Sequence, residues 1–206
     1  MKPLLLVGGG GHCHACIDVI EREGNHQIAG IVSSTVGDHT NVMGYSIIGA
    51  DEDLPALLKR IPNAVVTVGQ IKSAAIRIKL FTLLRNYEAH LPVIKSPLSY
   101  CSRHAAIGEG TILMHSSLVN ARAHVGANCI INSQALIEHD VEIADHCHIS
   151  TGAKVNGSVR IGKGTFIGSG SIIREGLTIG ARVLIGAGQL VLKDVPDGMT
   201  IRAKHV

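Results

Sequence analysis

One feature decides the second half of this chain: an aliphatic residue returns at every sixth position. Stepping by six from Ile107 lands on Leu113, Val119, Val125, Ile131, Ile137, Ile143, Ile149, Val155, Ile161, Ile167, Ile173, Ile179, Ile185 and Val191, without an interruption. With aliphatic residues at about a quarter of positions, chance gives such a run on the order of once in a billion for a chosen frame. A second register, four residues later, is mostly small: Thr111, Ser117, Ala123, Cys129, Ala135, Cys147, Ala153, Thr165 and Ser171 belong to it. The residue after the aliphatic one is often glycine, as at Gly108, Gly126, Gly162, Gly168, Gly180 and Gly186.

A period of six is a short strand plus a turn. Such a strand cannot bury its apolar side alone, so successive turns stack into a solenoid. Aliphatic side chains fill the interior, small residues fit the corners, and glycine relieves the backbone where it bends. Three faces per coil would give about five coils.

The first half reads differently. Leu4–Val7 is an aliphatic strand, Gly8–Gly11 a glycine turn, and the pattern through Ile17, Val19, Ile20 and Glu23 a helix. A strand over 28–32, a helix over 53–60, a strand over 64–68, a helix over 74–86 and a last strand over 91–94 complete a small doubly wound α/β unit. Strand, glycine turn and helix together form a cradle in which bare amides approach an anion. The dinucleotide fingerprint is incomplete: Cys13 stands at its last glycine position, and Ser33 and Ser34 stand where an acidic residue would end the second strand. The expected boundaries are an α/β Rossmann-like domain over 1–96 and an all-β helix over 97–206.

Composition removes other classes. Charged residues are 17%, net charge is +3, and aromatics are 2% with no Trp, so no basic stripe or stacking platform for nucleic acid exists. No apolar run is long enough for a membrane span. Five unpatterned Cys and an opening too short for a signal peptide lead to the expectation of a reducing, cytoplasmic setting. Cys13 and Cys16 match C-x-x-C at a helix start, but no second pair completes a metal site, so they read as packing residues and no metal is expected.

The repeat over about 105–195 resembles the hexapeptide-repeat acyltransferases. Taken with the Gly10-Gly11-His12 turn, the whole chain is similar to the bacterial enzymes that N-acetylate UDP-4-amino-dideoxy sugars, as in the bacillosamine pathway. The sialic acid O-acetyltransferases are near relatives. That resemblance implies a left-handed parallel β-helix, acetyl-CoA as co-substrate, and a homotrimer with active sites between subunits. It implies that Gly10, Gly11, His12, Gly69 and Gln70 contact the nucleotide-sugar; Ser33 and Ser34 depart from the usual acidic residues at that contact. The stretch from Asn132 through Ile137-Glu138-His139-Asp140 to His148 is similar to the family's active-site signature. By that likeness His139 is the general base, Asp140 or Glu138 orients it, and His148 lies near the thioester. Asn132, Gly157, Ser169, Gly186 and Ala187 would line the coenzyme groove. The relatives' C-terminal segment is shortened here, leaving Arg202 and Lys204 for the adenine end.

The chemistry fits. An amine attacking a thioester must lose a proton, which a neutral imidazole near pH 6.5 can take while a carboxylate fixes its tautomer. Spacing alone does not single out His139 and His148, because His115 and His124 repeat the same nine-residue offset. His146 with His148 would also suit a zinc-binding carbonic anhydrase of this fold. The α/β half argues against that reading, and a non-catalytic β-helix scaffold stands as the alternative from another class. The expected activity is acetyl transfer to a UDP-linked 4-amino sugar, with sialic acid O-acetylation as the alternative.

Overall fold

The computed structural model describes residues 1–34 and 40–202. The first half forms β1 (Lys2–Val7), α1 (Gly11–Glu23), β2 (His26–Val32), β3 (Asn41–Val42), β4 (Tyr45–Gly49), α2 (Leu54–Arg60), β5 (Asn63–Val66) and α3 (Ala75–Asn86). Strand order is β3-β4-β2-β1-β5, parallel except for the β3–β4 hairpin. Sequence reasoning missed that hairpin, whose strands alternate too briefly to register. Buried Leu4, Leu6, Ile17 and Ile20 join α1 to one face of the sheet, while Leu5, Val7, Leu58, Leu80 and Leu84 join α2 and α3 to the other. Gly8 is required because β1 runs so close to the chain after β5 that a Cβ there would lie 2.4 Å from Val68 Cγ2.

The strand expected over 91–94 does not extend the α/β sheet. It spans Ile94–Lys95 and pairs with Ile112–Leu113, so it is the first rung of the solenoid. Its apolar composition suited either sheet.

The second half is a left-handed β-helix of two-residue parallel strands stacked in three sheets, with partners eighteen residues apart, such as Ile130 on Ile112 and Leu136 on Leu118. The expected interior is found: the aliphatic positions from Leu113 to Val191 are buried, with the small register between them. Where that register carries a hydroxyl, it is satisfied inside the coil. Thr111 Oγ1 donates to the Gly126 carbonyl at 2.8 Å and accepts from Cys129 N at 2.9 Å. Thr165 and Ser171 make the same pair of bonds.

A third register turns the corners. Every sixth residue from Gly110 to Gly188 has a positive φ, between 54° and 71°. Ser116, Arg122, Asn128, Gln134, Asp140, His146, Ser158 and Arg182 hold this conformation without being glycine. It costs an L-residue about 1–2 kcal/mol.

The three faces differ outside. The covered face, with Ile112, Ile130, His148 and Phe166 pointing outward, is buried under the α/β domain. The apolar face shows Tyr100, Leu118, Leu136, Lys154, Ile172 and Leu190. The polar face shows His124, Glu142, Arg160 and Thr178, all exposed. Ser116 is an exposed corner residue. Ser116→Gly should stabilise the protein by up to about 1 kcal/mol, and Ser116→Val should destabilise it by a similar amount or more, as read by urea unfolding.

Candidate functional site

The residues singled out by sequence fall on three places. The first is the C-terminal end of the α/β sheet, where doubly wound folds take ligands. Gly10 is the N-cap of α1 and carries no side-chain cap. A Cβ on Gly10 or Gly11 would meet nothing within 4 Å, so space stands open over the helix start. His12 packs its Cβ against Gly69, and its Nε2 is sealed from solvent without a hydrogen-bond partner among the described residues. Ser33 N donates to the Gly49 carbonyl, and Ser34 Oγ accepts from Asp51 N at 3.3 Å, just before α2. The Gln70 side chain reaches the β-helix, donating to the Gly164 carbonyl at 3.3 Å.

The second place is the edge between the apolar and polar faces. Here His139 Nδ1–H donates to Asp140 Oδ2 at 2.9 Å, which leaves Nε2 bare as a proton acceptor. Asp140 Oδ1 in turn meets Arg122 Nε at 2.6 Å, one coil below. The hydrogen bond from His139, with Arg122 beside it, holds the Asp140 carboxyl below its usual range. Glu138 does not orient the ring: its Oε2 accepts from Asn120 Nδ2 at 3.0 Å and from the His139 backbone N–H. Gly157 lies one coil above, where a Cβ would sit 2.8 Å from His139 Cε1. The imidazole therefore rests on bare backbone. The Gly157 N–H has no protein acceptor among the described residues.

The third place is the edge between the covered and apolar faces, which carries Asn132, Ser169, Gly186 and Ala187. The last three share a cleft with Ile71, Phe166 and Arg202. Lys204 lies outside the described residues. His148 stands on the covered face beside this edge. Its Nδ1–H donates to the Gln70 carbonyl at 2.6 Å, and its Nε2 accepts from Asn132 Nδ2 at 3.1 Å. Ser133 N bonds Asn132 Oδ1 at 2.8 Å and so fixes which way that amide points. Within one chain this edge and the His139 edge are separated by a whole face, about 20 Å for six residues at ~3.3 Å each.

The competing histidines have other work. His115 bridges Ser96 Oγ and Asp18 Oδ2, both at 2.6 Å, and so ties α1 to the first coil. His124 is exposed on the polar face. His146 Nδ1 accepts from Asn128 Nδ2 at 3.0 Å, and its ring meets Phe81 edge-on. No group of three His, Cys, Asp or Glu suited to a metal exists among the described residues. Cys13 and Cys16 are buried packing residues, and burial raises both thiols. Arg122 and Asn120 escaped the sequence reading, although each stands eighteen residues before a residue that it did select.

Burial drives the His148 pKa down to about 4, against the pull of the Gln70 carbonyl and helped by Arg77. Burial first, then Arg77 and His148, drive His12 to about 3. Both rings titrate near 6.5 once unfolded. The unfolded chain thus binds more protons as pH falls from 6.5 toward 4, and stability falls with it. Urea unfolding should lose on the order of 3 kcal/mol from His148 over that window, and His148→Gln should show a shallower decline. A flat profile would show both rings to be hydrated.

Comparison with known proteins agrees with this architecture. The PglD N-terminal domain family matches residues 3–84, and the bacterial transferase hexapeptide family matches 122–157 and 158–188. No curated protein matches the chain. Among solved structures, the acetyltransferase domain of PglB from Neisseria gonorrhoeae is 30% identical, with 97% of this chain and 96% of that one covered and a TM-score of 0.89. It has also been solved with acetyl coenzyme A. Perosamine N-acetyltransferase from Caulobacter crescentus, solved as a mutant with CoA and GDP-perosamine, is 28% identical, with 97% and 93% covered and a TM-score of 0.91. With a signature-bearing β-helix joined to its matching α/β domain over nearly the whole length, the chain belongs to the hexapeptide-repeat sugar N-acetyltransferases, enzymes that draw acetyl from acetyl-CoA.

Proposed function

We propose that the protein acetylates the 4-amino group of a nucleotide-linked amino-dideoxy sugar, by direct attack on acetyl-CoA with His139 as general base. The observation that carries the reading is the His139–Asp140 pair: an exposed imidazole with its Nδ1 proton committed to a carboxylate and its Nε2 free. The amine loses its proton to Nε2 as it adds to the thioester carbonyl. The tetrahedral oxyanion then collapses and expels the coenzyme thiolate, which takes up a proton. The unpartnered Gly157 N–H, beside the imidazole, is suited to receive the oxyanion. Asn132, Ser169, Gly186 and Ala187 would hold the coenzyme arm. The open start of α1 at Gly10-Gly11-His12, with Ser33, Ser34, Gly69 and Gln70 around it, suits a diphosphate. UDP is the expected nucleotide. GDP is the second candidate, because the Caulobacter relative was solved with GDP-perosamine.

The active site is assembled between copies. The base and the coenzyme edge lie on two edges of one prism, and the face between them is the apolar one, bearing Tyr100, Leu118, Leu136, Ile172 and Leu190. Turning that face toward a threefold axis covers its apolar side chains and brings the His139 edge of one subunit to the Ala187 edge of the next.

Thiol release from acetyl-CoA with UDP- and GDP-4-amino-dideoxy sugars tests the reaction. His139→Ala should lower kcat at least about 100-fold. Gly157→Ala, whose methyl displaces the ring, should lower it about 10-fold or more while leaving the melting temperature within a few degrees. Turnover with sialic acid alone would refute the amino-sugar reading. A mixing experiment tests the shared site. His139→Ala and Ala187→Trp should each be inactive, but co-assembled at equal amounts they should regain about one quarter of wild-type activity, the fraction of interfaces that pair two intact edges. No recovery would place both halves in one chain.

A further inference from the structure

An unusual charge in the molecule is Arg77 of α3, which is 1% exposed and has no carboxylate partner among the described residues. Buried cations are ordinarily paired with an acid, because an uncompensated one is costly to bury. Here carbonyl-type oxygens cage the guanidinium instead. Nη1 donates to the Val66 and Val68 carbonyls at 3.0 and 2.6 Å. Nη2 donates to the Asn128 carbonyl and to Asn128 Oδ1 at 3.2 and 2.7 Å. Asn128 returns a bond from Nδ2 to the Arg77 carbonyl. One side chain therefore pins the end of β5 to a corner of the β-helix.

Two residues beyond Val68 is Gln70, whose carbonyl takes the Nδ1 proton of His148. His148 Nε2 then holds the Asn132 amide on the edge that would carry the coenzyme. We infer that Arg77 is a positioning residue for the acetyl transfer: it fixes the 66–70 segment so that the Gln70 carbonyl sets the ring of His148, and through it Asn132. A hydrophobic residue would fill the same space between α3 and the coil, but it could not hold the alternate carbonyls of Val66 and Val68 in place. The inference rests on the proposed coenzyme edge for its kinetic consequence, and on the hydrogen-bond chain alone for its structural one.

The test uses full-length Arg77→Lys and Arg77→Met proteins with two readouts. The first is the imidazole ¹⁵N spectrum of His148, assigned by its absence in His148→Gln. Wild type should show a single neutral tautomer protonated at Nδ1, and both variants should show exchange between tautomers. The second is kinetics. kcat should fall about 10-fold or more, and KM for the nucleotide-sugar should rise with it, because Gly69 and Gln70 of the loosened segment lie beside that site; Lys should recover less than half of the loss, since it cannot span four acceptors. The NMR readout is taken on the folded fraction, so partial unfolding of the Met variant leaves it decisive. An unchanged Nδ1–H tautomer in either folded variant would overturn the inference, as would wild-type kcat. If no sugar is acetylated by wild type, the proposed reaction fails while the imidazole spectrum still decides the role of Arg77.

Discussion

The left-handed corner, repeated at every sixth residue, is the constraint on which the rest of this molecule depends. Each corner that is not glycine forces an L-residue into a conformation costing about 1–2 kcal/mol, and only the stacked interior can offset that. The return is positional accuracy. Because each corner has the same geometry, residues eighteen apart lie directly over one another at about 4.8 Å, the spacing of neighbouring strands. His139 under bare Gly157, and Asp140 over Arg122, are products of that ladder. A site built on such rungs needs no loop to order it.

The ladder does not hold its α/β domain by apolar contact alone. Ile94, Ile112 and Met114 join the core around α1, but polar ties cross the same seam. His115 reaches Asp18, Gln70 reaches Gly164 and His148, and Arg77 reaches Asn128. Directional hydrogen bonds across the seam fix one relative placement of two bodies, whereas an apolar seam tolerates sliding. The C-terminal end of the α/β sheet and the Asn132 edge of the prism are thereby held at a set separation.

The architecture was legible because its signal is redundant: the period of six gives strand, turn and interior together, and Ile107 through Val191 repeats it without a break. The α/β half was legible where strands are aliphatic and helices amphipathic. The Asn41–Gly49 hairpin and the fate of Ile94 were not, because Asn41–Val42 and Ile94–Lys95 are too short to carry a period and Tyr45-Ser-Ile-Ile-Gly49 does not alternate apolar with polar residues. Of the candidate site, His139 and Asp140 were selected through their sequence neighbourhood. Arg122, Asn120 and the resting place of His139 on Gly157 needed a step of eighteen, the distance that stacks side chains, rather than the step of six that builds strands. Arg77 had no signal at all, since an arginine on the apolar stripe of a helix reads as solvated until its carbonyl cage is seen.

The same step of eighteen explains what the nine-residue offset means. Nine is half a coil, so residues at that separation point to opposite sides of a three-sided prism. His139 lies on the edge between the apolar and polar faces, and His148 lies on the covered face across from it. Their environments differ accordingly: one ring is exposed with a free Nε2, the other is buried with both nitrogens bonded. Two histidines so placed never meet within a chain. A signature containing both describes either two unrelated sites or one site completed by a neighbour. The apolar face lying between the two edges favours the neighbour, because it gives a second copy a reason to be there.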